Sequence, residues 1–140
     1  MSFLLDTVVV SELVRKSPSA AVLKWIDGQD EASLHLSVLT IGELEKGVSR
    51  LPASVRRSRL QSWVRRDLAE RFGARLLPID TRTAARWGTI TGESENRGRP
   101  LPVIDSLIAA TALVHGLTVA TRNVADFERC GAACFNPWEA

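Results

Sequence analysis

The apolar residues of this chain follow two patterns: short runs or alternation, which indicate β-strands, and a 3.6-residue spacing, which indicates amphipathic helices. The segments with the strand pattern are 3–5, 33–38, 74–79, 118–121 and 132–135. The segments with the helix pattern are 7–16, 17–30, 39–51, 52–72, 81–98, 102–116 and 123–131. Because strands alternate with helices, the sequence predicts an α/β fold in which helices cover both faces of a mostly parallel sheet of four to five strands.

Serine, proline and glycine residues indicate where some of the predicted helices begin and end. Ser17 before Pro18 has the spacing of a helix cap followed by the first helical residue. Gly73 follows the last apolar position of the long segment 52–72, so we expect it to end that helix.

Size and composition favour one compact unit. The chain has 140 residues, 45% of them hydrophobic, which is enough for the core of a single domain over residues 1–140. No apolar stretch reaches membrane-spanning length, and the first apolar run lacks a basic leader and is interrupted by Asp6. We therefore expect a cytoplasmic protein without a membrane partner. Cys130 and Cys134 are too few for a disulfide framework or a structural zinc site.

Basic residues are concentrated in the middle of the chain. The net charge of +2 is too small to indicate nucleic-acid binding by itself, but 15 of the 18 basic residues are arginines, whose side chains match phosphate well. The arginines that we consider for contact with RNA are Arg56, Arg57, Arg65 and Arg66. A solvated helical face is the other explanation for these charges, since Asp67 and Glu70 partly offset them.

Four acidic residues come just after predicted strands or at the starts of the next helices. Asp6 directly follows the first strand, Glu43 lies in the first turn after the second, and Asp126 follows the strand 118–121. In a doubly wound sheet these three share the carboxyl edge, where a crevice can bind ligands. Asp105 opens the helix 102–116, and it joins them only if the preceding loop crosses back to that edge.

A cluster of four carboxylates would require a cation, because like charges held together repel one another and shift each other's pKa values. A hard divalent ion such as Mg²⁺ or Mn²⁺, with open water positions, suits phosphate chemistry. Helix capping is the competing explanation for each acid taken singly. Thr40 to Glu43 has the spacing of a capping box, and Asn123 to Asp126 has the same spacing.

Three blocks of the sequence resemble those of PIN-domain proteins. LLDTVVVSEL is similar to their opening motif LLDTNxxSE, and LTIGELEKG is similar to their second motif, with Glu43 as its acid. VIDSLIAATALVHGLTVATRNVADF resembles their carboxy-terminal block, in which an acid precedes LIAAxA and a T-x-N-x-x-DF run follows. The match covers nearly the whole chain, and it is greatest with the VapC-type toxins of bacterial toxin–antitoxin pairs, including the FitB-like subgroup.

This resemblance implies a PIN-like three-layer α/β/α sandwich and a Mg²⁺- or Mn²⁺-dependent endoribonuclease. The catalytic and metal-binding residues that it implies are Asp6, Glu43, Asp105 and Asp126. The supporting polar residues that it implies are Thr7, Thr121 and Asn123. It also implies a homodimer and a small cognate antitoxin whose tail covers the acidic pocket. An arginine of such a tail could replace the charge of the metal among the carboxylates.

One position departs from the family motif. Val8 stands where the motif has asparagine after Asp-Thr, and valine cannot hydrogen-bond a carboxylate or a water molecule. Loss of such a supporting contact typically lowers metal affinity or activity by about 10–100-fold. Two explanations fit Val8, natural divergence or a deliberate or selected attenuation of a toxic nuclease, and the sequence does not choose between them.

Metal-assisted hydrolysis of RNA would leave a 5′ phosphate and would not need the 2′-hydroxyl, nor a histidine nucleophile. His35 and His115 are expected to be structural. The substrate is expected to be single-stranded RNA or a tRNA loop, because an unpaired segment can enter a narrow cleft.

Two other functions stay open: a noncatalytic PIN-like module that binds RNA or protein, and a phosphotransfer domain built around Asp6. Asp80 also follows a strand, and it could equally cap the next helix.

Overall fold

A five-stranded parallel sheet forms the centre of the protein, which we describe from a computed structural model covering residues 1–140. The strands are β1 (Phe3–Leu5), β2 (Leu34–Ser37), β3 (Leu76–Leu77), β4 (Thr118–Ala120) and β5 (Cys134–Phe135). Their order in the sheet is β3-β2-β1-β4-β5, and every neighbouring pair is parallel. The predicted α/β class and strand positions are confirmed, and the sheet has no antiparallel strand.

Helices cover both faces of this sheet. They are α1 (Thr7–Ser11), α2 (Ala20–Asp27), α3 (Val38–Ser49), α4 (Val55–Ser62), α5 (Leu68–Phe72), α6 (Thr81–Asn96), α7 (Val103–His115) and α8 (Val124–Glu128). The side chains of β1 alternate between the two faces, because Phe3 and Leu5 join a core with α1, α2 and α5 while Leu4 joins a core with α7 and α8. The result is the predicted three-layer α/β/α sandwich.

The segment predicted as one long helix over 52–72 is helical from Val55 to Phe72, but it is not uniform. Ser54 caps its start, and a π-helical turn over Trp63–Asp67 separates α4 from α5. Gly73 ends it as expected, with a φ of 52° that favours glycine.

Two predicted helix starts are wrong. Helix α2 begins at Ala20 with Ser19 as its cap, so Ser17 and Pro18 lie outside it. Helix α3 begins at Val38, and its cap is Ser37, whose hydroxyl accepts the Leu39 N–H at 3.1 Å. Thr40 and Glu43 are therefore inside the helix rather than forming a capping box, and the Glu43 carboxylate is available for other contacts.

The sheet order places a crevice at the carboxyl ends of β1 and β4. From β1 the chain adds β2 and β3 on one side and then places β4 and β5 on the other, so the direction of winding changes between β1 and β4. Such a switch point is where open α/β sheets bind ligands. Leu5 pairs with Ala120 in this register, which brings the following residues, Asp6 and Thr121, side by side. None of the helices is both long and apolar enough to cross a membrane.

Candidate active site

Asp6 directly follows β1, the central strand of the sheet, and is almost fully buried, with 4% of its surface exposed. One carboxylate oxygen accepts the backbone N–H of Thr7 at 2.8 Å, and the other accepts the hydroxyl of Thr121 at 2.8 Å. Asp6 does cap the short helix α1, as the structural explanation proposed. That cap uses one oxygen only, so capping does not explain why buried Thr121, the residue after β4, also donates a hydrogen bond to the carboxylate.

The pKa of Asp6 is raised from its ordinary 3.8 to about 6. Burial is the largest cause, because it disfavours the charged form. The hydrogen bonds from Thr121 and Thr7 lower the pKa, and the negative charges of Asp105 and Glu43 raise it. These last two effects show that three acids from distant parts of the sequence share one electrostatic environment.

Glu43 is joined to the first motif by a hydrogen bond across 36 positions of the sequence. The Thr7 hydroxyl donates to Glu43 Oε1 at 2.5 Å, and it lies 3.2 Å from the hydroxyl of the buried Thr40. This hydrogen bond links the residue after Asp6 to Glu43 and orients the Glu43 carboxylate.

Asp105 and Asp126 complete the acidic group. Asp105 lies in the first turn of α7 and is partly buried. Its pKa is raised by burial and, after burial, by the charges of Asp126 and Glu43. The chain therefore does return to the carboxyl edge before α7. Asp126 forms an ion pair with Arg129 at 3.0 Å, which makes it the one member of the four with a cationic partner.

Thr121 and Asn123 support the site through one short turn. The Thr121 hydroxyl donates to Asp6 and accepts the backbone N–H of Asn123 at 2.9 Å. The Asn123 side chain makes no capping bond to α8, so the proposed cap-and-acid pairing with Asp126 is absent.

The donors present suit a hard divalent cation in kind, because all four are carboxylates and three have no cationic partner. No three acidic, histidine or cysteine side chains lie close enough together to hold an ion as they stand. Binding of an ion would therefore draw the carboxylates together by side-chain rotation, which their mutual repulsion opposes until positive charge is added. Mg²⁺ usually takes one or two protein carboxylates and keeps several waters, and this arrangement allows that mode.

The predicted RNA-binding arginines lie outside the acidic group. Arg65 pairs with Glu45 at 2.6 Å, and Arg57 donates to the carbonyl of Leu51 at 3.0 Å. Arg56 lines a surface groove with Trp63, while Arg66 is an exposed residue of the π-helical turn. This favours the solvated-face interpretation for part of the basic segment.

Other residues left open by the sequence have structural contacts. Asp80 caps α6 by accepting the Thr83 N–H at 2.9 Å. His35 Nδ1 lies 3.3 Å from the carbonyl of Phe3, and His115 ends α7. Ser37 was not singled out by the sequence, although a serine at the end of a strand is a possible helix cap.

The fold and site together define an α/β/α protein whose polar centre is a group of carboxylates at the switch point of a parallel sheet. The PIN-domain model matches residues 3–132, and the chain belongs to the PIN-domain family. It is 38% identical over 135 residues to a VapC ribonuclease of Sinorhizobium fredii, covering 96% of each chain. It is 36% identical over 135 residues to the toxin FitB of Neisseria gonorrhoeae, covering 96% of this chain and 97% of FitB.

Solved structures agree with this assignment. The crystal structure of FitAcB from Neisseria gonorrhoeae superposes with a TM-score of 0.91 at 36% identity, covering 99% of each chain. The structure of DNA-bound VapBC from Salmonella typhimurium superposes with a TM-score of 0.75 at 26% identity, covering 98% of each chain. The resemblance to PIN-domain proteins of the VapC and FitB type is therefore confirmed.

Proposed function

We propose that this protein is a Mg²⁺- or Mn²⁺-dependent endoribonuclease and the toxin of a type II toxin–antitoxin pair. The observation that carries the proposal is the buried Asp6 carboxylate, which accepts hydrogen bonds from Thr7 and Thr121 and whose pKa is raised by burial and, to a smaller extent, by the charges of Asp105 and Glu43. Relatives with this fold are named as VapC ribonucleases and as a Fit toxin, at 36–38% identity.

The proposed ligands of the ion are Asp6, Glu43, Asp105 and Asp126. A divalent ion held there would supply Lewis-acid activation of water and charge neutralisation at the scissile phosphate. The chain's own residues position the carboxylates for this chemistry. Thr121 and Thr7 orient Asp6 and Glu43 through hydrogen bonds, and burial of Asp6 places its carboxylate in a region of low dielectric.

The protein offers no histidine pair for the alternative route through the RNA 2′-hydroxyl. His35 contacts the carbonyl of Phe3, and His115 lies at the end of α7 opposite to Asp105. Water attack on the phosphate, with a 3′-hydroxyl leaving group, is therefore the reaction that the site favours.

We further propose a cognate antitoxin as the inhibitor and a homodimer as the working assembly, both acting in the cytoplasm. The solved relatives include toxin–antitoxin complexes such as FitAB and VapBC. The unpaired carboxylates favour an antitoxin residue with positive charge, since a guanidinium would compensate them as an ion does.

The proposal is tested by incubating the purified protein with a mixed pool of single-stranded RNA in Mg²⁺, in Mn²⁺ and in EDTA. We expect endonucleolytic cleavage with either ion and none in EDTA. Cleavage at an unchanged rate in EDTA would contradict the metal-dependent reaction. Absence of cleavage in Mg²⁺, in Mn²⁺ and in EDTA would favour a noncatalytic binding module.

Val8→Asn is expected to raise metal-dependent cleavage by about 10-fold or more. Val8 is 37% exposed on α1, directly after Thr7, so an amide is tolerated there and can reach water or a neighbouring carboxylate. Initial rates on the same RNA in Mn²⁺ measure the effect. Val55→Asn, which changes an exposed valine of α4, is the matched control and should leave the rate unchanged. Equal rates for all three proteins would show that position 8 does not limit activity.

A further inference from the structure

A cleft of about 550 Å³ opens directly beside Thr7 and Glu43. Its walls come mainly from α3, with Ile104 of α7 on the opposite side. The other residues that line it are Val38, Leu39, Gly42, Lys46 and Gly47 of α3 and Arg50, which directly follows that helix. Clefts that hold small ligands usually have volumes of about 300–1,000 Å³, so this one is large enough for a nucleotide.

Two cations project from the wall of this cleft on the helix face that carries Glu43. Lys46 follows Glu43 by three positions and Arg50 by seven, which places them about one and two turns further along α3. Both side chains are exposed, and neither makes an ion pair or a side-chain hydrogen bond. Their charge is therefore available to a ligand.

This availability distinguishes them from three arginines in the basic middle of the chain, Arg65, Arg71 and Arg75. Arg65 is paired with Glu45, and Arg71 and Arg75 are both paired with Glu31. Lys46 and Arg50 form no ion pair, and they line the same cleft as Glu43, which belongs to the acidic group.

The rest of the cleft is apolar and open. Val38 and Ile104 line the cleft and are exposed by 36% and 37%, so part of each aliphatic side chain is open to a ligand. Gly42 adds no side chain, and a Cβ built there meets nothing within 4 Å. The flat face of a base or the carbon face of a ribose can therefore lie against this wall.

We propose that this cleft binds a nucleotide of single-stranded RNA next to the scissile bond. Lys46 and Arg50 hold the phosphate, and Val38 and Ile104 contact the base or ribose. The inference rests on the proposed function, because it takes RNA as the substrate. A phosphate near the acidic group needs compensating cations, and an unstacked base is needed to reach the apolar wall, which selects a single strand over a duplex.

The test measures binding rather than cleavage. Anisotropy of a fluorescein-labelled 12-nucleotide single-stranded RNA is recorded in EDTA, over a range of salt concentrations, with gels showing that the RNA stays intact. Lys46→Ala/Arg50→Ala is expected to weaken binding by roughly 10-fold or more and to reduce the slope of log K against log salt by about 1.4, or about 0.7 for each lost phosphate contact.

Lys24→Ala/Arg82→Ala removes the same two charges elsewhere and is the matched control. Lys24 lies on α2, and Arg82 lies on α6 near Asp80 and His115, at the end of α7 remote from Asp105. This control is expected to bind RNA within about 2-fold of the unmodified protein, since its charges make no phosphate contact.

Gly42→Leu provides an independent steric test, because its side chain would occupy the cleft without removing any charge. It is expected to weaken RNA binding at least 5-fold, with a thermal midpoint no lower than that of the unmodified protein, because leucine favours the helix more than glycine does. The inference is overturned if Lys46→Ala/Arg50→Ala binds as well as the charge-matched control, or if the unmodified protein shows no RNA binding.

Cleavage assays separate the two proposals. RNA binding that depends on Lys46 and Arg50, without cleavage, would retain the subsite and reject the nuclease. Cleavage that these variants leave unchanged would retain the nuclease and reject the subsite.

Discussion

Asp6→Asn is expected to abolish RNA cleavage while making the folded protein more stable at pH 7.5. Asparagine keeps the size and one acceptor oxygen of the side chain, so the Thr7 N–H retains its partner. It removes the negative charge that the proposed ion needs, and we expect cleavage to fall by about 10³-fold.

The gain in stability follows from the pKa of Asp6, which is about 6 in the folded protein and 3.8 ordinarily. Because the folded pKa is raised, protonation stabilises the fold fully below pH 3.8, and this contribution is lost as the pH rises through 6. A shift of this size corresponds to about 3 kcal/mol. Removing the charge should raise the free energy of unfolding by about 1–3 kcal/mol, because the amide loses part of the hydrogen bonding.

Urea unfolding and initial cleavage rates measure the two effects of Asp6→Asn. Asp27→Asn, on the exposed side of α2, is the matched control and should change neither quantity. A destabilised Asp6→Asn variant that still cleaves RNA would identify Asp6 as a structural cap and would reject its proposed role.

Mn²⁺ is expected to raise the thermal midpoint of the unmodified protein at pH 7.5. At about 100 times its Kd, an ion that binds only the folded state stabilises it by about 2.7 kcal/mol, which corresponds to a shift of about 5–10 °C for a chain of this size. Asp6→Asn should show little of this shift, because the ion loses a ligand and the repulsion that it relieves is already reduced.

The same experiment has an expected pH dependence. In EDTA the midpoint should rise as the pH falls from 7.5 to 5, because the raised pKa values of Asp6 and Asp105 make their protonation stabilising. The shift caused by Mn²⁺ should shrink over the same range, since protons compete for the carboxylates. Glu31 and Asp80, whose pKa values are lowered, lose their stabilising charges only at lower pH. An Mn²⁺ shift that is equal in both proteins and at both pH values would contradict binding at Asp6.

The strands and the position of Asp6 could be predicted because the signals are local. The apolar run at residues 3–5 ends directly at an acid, and the parallel order of the strands follows from alternation with helices. Contacts between distant residues could not be read in this way. The bond from Thr7 to Glu43 spans 36 positions, and that from Thr121 to Asp6 spans 115.

Helix starts were misplaced where several residues could serve as caps. Both Ser37 and Thr40 have suitable hydroxyls after β2, and the structure uses Ser37, because the helix begins directly where the strand ends. The sequence also could not show which basic side chains lack an acidic partner, because this depends on which acids the fold brings close to them. Glu45 pairs with Arg65, and Glu31 pairs with both Arg71 and Arg75. Lys46 and Arg50 form no ion pair.

The chemical identity of the RNA ends tests the central claim most directly, because it reports the reaction itself. RNA cleaved by the purified protein in Mg²⁺ or Mn²⁺ would be analysed by mass spectrometry, together with a substrate that carries 2′-deoxy substitution at the cleavage site. Hydrolysis at a carboxylate-held ion predicts a 5′ phosphate and a 3′-hydroxyl, retained cleavage of the 2′-deoxy substrate, and no products in EDTA. Products that end in a 2′,3′-cyclic phosphate and form equally in EDTA would contradict it.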